Sequence, residues 1–204
     1  MTRIGLDLDN TIIDYEALIR EELALDDALR ALPAGDKRAL RDALRAQAGG
    51  ELRWTNLQAR IYGPRLAMAM PFEGAQKFVA MANEARIELV IVSHKTRYAA
   101  ADTANYDIQE AARNWLSRRG FVGTGAIPEA NVFFEETREK KVARIATLKV
   151  DAFLDDLSEV FAEPAFPGSV ERWLFSPTSQ ADPGNVDRIF ASWASVAEHV
   201  FRRH

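Results

Sequence analysis

The sequence predicts an α/β protein: a doubly wound parallel sheet carrying a small α-helical insertion near its beginning. Three observations predict it. The stretch from Ile4 to Asp14, IGLDLDNTIID, runs an apolar strand straight into two aspartates and a threonine. From Tyr15 to about Met70 the chain reads as helices with almost no strand signal. From Pro71 onward, short apolar runs alternate with helical stretches, and that alternation implies right-handed parallel crossovers.

The first strand ends near Leu6 or Asp7. Residues i and i+2 share a face of a strand, so Asp7 and Asp9 can be brought towards one spot as the chain enters a loop. Two adjacent carboxylates repel. A divalent cation with oxygen ligands, a proton held on one of them, or solvent must compensate the pair. Three helical stretches follow: YEALIREELALDDALRAL, DKRALRDALRAQAGG and ELRWTNLQARIYGPRLAMAM. Helical spacing is visible in Leu18, Ile19, Leu25, Leu29 and Leu32, with breaks at Pro33-Ala34-Gly35, Gly49-Gly50 and Gly63-Pro64. We expect residues 15–70 to be an insertion into a core made of 1–14 and 71–204. Its position directly after the two aspartates suits a cover over them.

In the second part of the core, GAQKFVAMANEA reads as a helix offering Phe78, Val79 and Met81 or Ala82 for packing. Ile87 to Ser93 is a near-continuous apolar strand of the kind buried on both faces. It ends in the hydroxyl of Ser93, and His94, Lys95 and Thr96 follow in a loop. A helix through IQEAARNWLSRRG carries Ile108, Ala111, Ala112, Trp115 and Leu116, and Gly120 stops it. NVFFE is a third strand, REKKVARIATL a helix, DAFLDD a fourth strand ending in Asp155 and Asp156, and VERWLF a fifth. Val186, Ile189, Phe190, Trp193, Val196, Val200 and Phe201 recur at three- and four-residue spacing, which predicts one last helix packed by its apolar face.

Bulk properties narrow the function. With 204 residues, 48% hydrophobic and 27% charged, the chain can form one well-cored domain or a domain with a modest insertion. Its 26 Lys and Arg against 30 Asp and Glu give a net charge of -4, and no long basic run appears. This argues against binding of a nucleic-acid polymer or an acidic membrane, although a local cluster of cations can still serve a small anionic substrate. Zero cysteines exclude disulfides, thiolate metal sites and a cysteine nucleophile. With neither a signal-peptide apolar region nor a membrane-length apolar run, a soluble cytoplasmic protein is expected.

In doubly wound sheets ligands bind beyond the carboxyl ends of the strands, and three of these strands end there in polar groups. The residues DLDNT (Asp7 to Thr11), Ser93 after an apolar strand, Lys140 or Lys141 in a helix, and the pair Asp155-Asp156 after another strand stand in a telling order. Together they resemble the four motifs of the haloacid dehalogenase-like (HAD) superfamily, in its phosphatase branch with a small helical cap after the first strand. The resemblance covers residues 1–14 and about 71–175 and implies a Rossmann-like core.

The resemblance assigns Asp7 as the nucleophile that attacks phosphorus to form an aspartyl-phosphate, dividing one difficult displacement into two easier ones. It makes Asp9 the acid/base, with its backbone carbonyl reaching the metal. It implies Mg²⁺ held by Asp7, Asp9, Asp156 and Asp155, with Asp156 favoured as the direct ligand and Asp155 acting through water or from behind. Ser93 would donate to a phosphoryl oxygen, and a lysine would face the charge on the equatorial oxygens. The family's spacing ahead of Asp155 matches Lys141, with Lys140 its neighbour. Thr11, Ser93, His94 and Lys140 are the candidates for substrate binding, with Lys95 in the same loop. Arg53, Arg60 and Arg65 in the insertion are further candidates for a substrate anion.

The expected function is a Mg²⁺-dependent phosphomonoester hydrolase acting on a small phosphorylated metabolite. A dehalogenase has no use for the metal site or the second aspartate. A phosphomutase would share the motifs. A non-catalytic receiver-like domain would explain neither the insertion nor DxDxT at the start, and a silent phospho-ligand-binding relative would be expected to lose motifs that here are intact.

Overall fold

The computed structural model of the chain describes residues 2–24, 37–99, 105–177 and 184–202. The helical spacing at Leu25, Leu29 and Leu32 and the break at Pro33-Ala34-Gly35 lie outside these residues. In chain order the elements are β1 (Arg3–Leu6), β2 (Ile13–Asp14), α1 (Glu16–Ala24), α2 (Lys37–Arg45), α3 (Gly50–Tyr62), β3 (Met70–Pro71), α4 (Ala75–Glu84) and β4 (Glu88–His94). They continue with α5 (Ile108–Arg118), β5 (Val132–Glu135), α6 (Arg138–Leu148), β6 (Ala152–Asp155), α7 (Ser158–Phe161), β7 (Glu171–Phe175), β8 (Arg188–Phe190) and α8 (Trp193–Phe201). The chain forms two compact units: Met1–Ile13, Pro71–Lys95 and Leu116–His204 in the first, and Asp14–Met70 and Thr96–Trp115 in the second.

The first unit is built on a six-stranded parallel sheet in the order β5-β4-β1-β6-β7-β8. The centre of such a sheet has helices on both faces, so its strands must be apolar throughout. Leu89, Val90, Ile91 and Val92 of β4 are accordingly all buried. Val90 and Val92 share one face with Phe153 of β6 and pack against Val142 and Ile145 of α6. Gly5 lies in register with both Val90 and Phe153, and a Cβ there would run into the Phe153 ring. A residue without a side chain is what lets that ring lie across the sheet centre.

The chain end differs from the expectation of one helix from Val186. Arg188–Phe190 forms the edge strand beside β7, with Arg188 and Ile189 exposed and Phe190 buried. The helix starts only at Trp193, because Ser192 caps it: its hydroxyl accepts the Ser195 amide at 3.2 Å, and Ser195 Oγ accepts the Ser192 amide in return. Trp193, Val196 and Val200 then form the buried stripe.

In the second unit, Leu18 and Ile19 of α1 and Trp54, Leu57 and Ile61 of α3 are buried. The rings of Tyr15 and Tyr62 meet edge to face at 5.1 Å. α3 begins at Gly50, after Gly49 at φ 70°, and ends before Gly63. Glu22 is only 5% exposed, and its carboxylate is held by Arg60 at 2.8 Å and Arg65 at 3.2 Å, while Arg65 also reaches Glu21 at 3.1 Å. Two of the arginines suggested for a substrate anion thus already have acidic partners. β2 and β3 form a separate two-stranded sheet. Among the described residues no helix is long and apolar enough to cross a membrane.

Candidate active site

β1 pairs with β4 on one side and β6 on the other, so the strand order reverses at its carboxyl end. That edge is where a parallel sheet leaves room for a ligand. Asp7 follows β1 directly, and its amide donates to the Leu154 carbonyl at 2.8 Å, which ties the residue to β6. The chain then turns tightly: the amides of Ile12 and Ile13 both donate to the Leu8 carbonyl at 2.9 Å. Asn10 sits at the corner with φ 57°, a left-handed conformation that asparagine tolerates better than most residues. From the far end of the sequence, the Trp193 indole donates to the Thr11 carbonyl at 2.9 Å.

Lys141 enters from α6, whose inner face also carries Val142 and Ile145. Its ammonium donates to Asp7 Oδ1 and to Asp155 Oδ2, each at 2.6 Å, and lies 5.4 Å from the Phe153 ring centroid. All three charged side chains are buried. One step round the helix, about 100°, Lys140 is exposed and pairs with Glu136 at 2.8 Å. Helix phase therefore separates the two lysines and brings only Lys141 to the aspartates.

Asp155 is also fixed by the Leu157 amide, which donates to its Oδ1 at 3.0 Å. Asp156 accepts from the Asn10 side-chain amide at 3.2 Å. Carboxylate oxygens of Asp7, Asp155 and Asp156 all lie within 4.8 Å of one another, a hard-oxygen set of the kind that could hold a metal ion.

At the end of β4, strand alternation sends Ser93 and Lys95 to one face and His94 to the other. Ser93 and Lys95 are buried, whereas His94 is exposed and its Nε2 lies 3.0 Å from the Glu136 carbonyl. His94, like Lys140, is not brought to the aspartates. Lys95 Nζ lies 2.8 Å from Asp9 Oδ2. Sequence reasoning placed Lys95 as a polar loop residue that could contact substrate and missed this pair with Asp9; its two-residue distance from Ser93 was the signal that could have found it. The hydroxyls of Thr11 and Ser93 are both buried without a hydrogen-bond partner among the described residues.

Four aspartates meet two lysines here, leaving an excess of negative charge. Burial pushes the Asp7 carboxyl up to about 7, with the nearby charges of Asp155 and Asp9 adding to the rise and Lys141 opposing it. Burial works against the charged form of Lys141, but Asp155 and Asp7 outweigh it and hold its pKa above the ordinary lysine value.

The sheet and its order have the fold of solved haloacid dehalogenase-like hydrolases, which are similar along nearly the whole chain. The sequence itself matches no protein-family model and no curated protein. A HAD family hydrolase from Deinococcus radiodurans R1, solved with bound phosphate and sodium, shares 10% identity at a TM-score of 0.60 over 99% of this chain and 96% of its own. YfnB of Bacillus subtilis, described as a HAD-hydrolase and solved bound to magnesium, shares 11% at 0.58 over 98% and 97%. A phosphoserine phosphohydrolase-like protein from Francisella tularensis shares 12% at 0.57 over 98% and 100%. At such identities the likeness carries the fold.

Proposed function

We propose that the protein is a phosphomonoester hydrolase that works through an aspartyl-phosphate on Asp7, with Mg²⁺ as cofactor. The observation that carries this reading is the pair of buried hydroxyls, Thr11 and Ser93, with no partner among the described residues, at the strand edge where Asp7 meets Lys141. A buried hydroxyl is costly to leave unpaired, and the oxygens of a tetrahedral phosphoryl group are acceptors for both. The phosphate bound by the Deinococcus radiodurans hydrolase and the magnesium bound by YfnB, two proteins of the same fold, agree with it.

In the first step an Asp7 oxygen bonds to phosphorus as the bond to the leaving alcohol breaks, and Asp9 gives that alcohol its proton. In the second, water attacks the same phosphorus, Asp9 takes the proton from the water, and the bond to Asp7 breaks to release phosphate. Lys141 stands against the charge on Asp7 and on the phosphoryl oxygens. Asp7, Asp155 and Asp156, with the Asp9 carbonyl, would hold Mg²⁺, which supplies positive charge to the phosphoryl group. We assign the helical segment 15–70 to substrate selection by its place in the chain.

The test is hydrolysis of p-nitrophenyl phosphate and a panel of phosphorylated metabolites, with Mg²⁺ and with excess EDTA. Activity that needs Mg²⁺ and vanishes on chelation is expected, with Ca²⁺ a poor substitute because it takes more ligands at longer distances. Full activity in EDTA, or no hydrolysis of any phosphomonoester, overturns the reading.

A further inference from the structure

Lys95 is 3% exposed, and its ammonium is 2.8 Å from Asp9 Oδ2, whereas the Asp9 side chain retains 17% exposure. The buried partner is the cation and the accessible one is the carboxylate. That is the reverse of a surface ion pair, in which a long lysine reaches out over a fixed acid. The lysine is anchored at its backbone as well: its amide donates to the Glu135 carbonyl at 2.8 Å, which carries the β4–β5 ladder one residue beyond His94. Its side chain therefore leaves the sheet from a fixed point, on the face of Ser93. The other cation of the site, Lys141, contacts Asp7 and Asp155. Lys95 thus holds Asp9 while Lys141 holds Asp7 and Asp155, a division of these three carboxylates between the two lysines.

From this division we propose that Lys95 is a positioning residue: it fixes the Asp9 carboxylate in the orientation from which a proton passes to the leaving alcohol and returns from the attacking water. The proposal rests on the hydrolase reading above. Lys95 acts through Asp9 and touches no reacting atom. Asp9 lies within the Leu8–Ile13 turn, and an aspartate side chain has several staggered rotamers, so loss of the ammonium loosens the orientation of the carboxylate. The loss should be felt in proportion to how much the leaving group needs a proton.

The experiment compares wild type with Lys95→Met, which keeps the length and removes the charge, across aryl and alkyl phosphates of graded leaving-group pKa. Expected is a fall in kcat/KM of roughly 10- to 100-fold for alkyl phosphates. For p-nitrophenyl phosphate the first-turnover burst should stay within about 3-fold of wild type while steady turnover slows, because the second step still needs Asp9 as a base. An equal loss for every leaving group, or a raised KM with an unchanged leaving-group slope, overturns the proposal and makes Lys95 a phosphate ligand. If wild type hydrolyses no phosphomonoester, the hydrolase reading fails instead. The pairing itself is tested without turnover by thermal unfolding of Lys95→Met, Asp9→Asn and the double variant in EDTA. Expected is a smaller loss of Tm in the double variant than the two single losses added together; strict additivity overturns the proposal.

Discussion

Lys141→Met removes a cation in contact with both Asp7 and Asp155, and Lys140→Met is its internal control. The ammonium contacts each carboxylate at 2.6 Å, and the side chains are 3%, 6% and 0% exposed for Lys141, Asp7 and Asp155. The substitution leaves two buried acidic groups without the ammonium that both contact. Breaking a buried pair in this way costs about 3–5 kcal/mol. In a chain of this size each kcal/mol moves Tm by about 2–4 °C, so a fall of roughly 6–20 °C is expected in EDTA. Lys140, with 57% of its side chain exposed against a 63% exposed Glu136, should leave Tm close to that of wild type when replaced.

The pH dependence has a definite sign. The folded Asp7 carboxyl is raised to about 7 from an ordinary 3.8, so the folded state binds the proton more tightly than the unfolded chain. Stability from this group is complete below about 4 and is lost as pH rises through about 7. Without Lys141, which opposes the rise, that window moves upward. The deficit of Lys141→Met should be largest near pH 8.5 and narrow towards pH 5, read by thermal or urea unfolding at both. Equal losses for the two lysine variants, or a deficit that grows as pH falls, would refute the reasoning.

Asp7→Asn should leave no covalent phosphoryl-enzyme and turnover near background, because an amide is no nucleophile. Asp9→Asn should slow turnover by roughly 10²- to 10⁴-fold, yet intact-mass analysis after reaction with an aryl phosphate should find one phosphoryl group, mapped to Asp7 by borohydride reduction. Gly5→Ala places a methyl against the Phe153 ring and should cost about 1–3 kcal/mol, measured by urea unfolding. Trp193→Phe keeps the ring packed beside Phe78 and Phe175 but leaves the Thr11 carbonyl without its donor. It should cost about 1–3 kcal/mol and lower kcat more than it changes KM.

The parallel sheet was legible because the apolar runs Leu89 to Val92 of β4 and Ala152 to Leu154 of β6 lead straight into Ser93 and Asp155, which strand chemistry alone does not require. Asp7, Asp9, Asp155 and Asp156 could be read as converging because acidic residues follow two strands that a doubly wound order makes neighbours. The choice between Lys140 and Lys141 was also written in the sequence: Lys141 lies four residues before Ile145, on the buried stripe of its helix. Two things were not legible. Val186, Ile189 and Phe190 fit helical spacing, and only the Ser192 cap, which competes with that pattern, starts the helix later. The Lys95–Asp9 pair joins residues from different strands, and their meeting depends on sheet order rather than on any local pattern.

The Trp193 hydrogen bond to Thr11 spans 182 residues. A ribosome delivers the acidic loop well before the indole that braces it. Throughout synthesis the loop carries its aspartates with one carbonyl still owed a donor, and long-range closure of this kind is slow compared with local helix formation. The order of assembly thus withholds the finished loop until α8 has packed, so a chain stalled late in translation would hold every aspartate and lysine of the site and still lack the brace on the turn that carries Asp9.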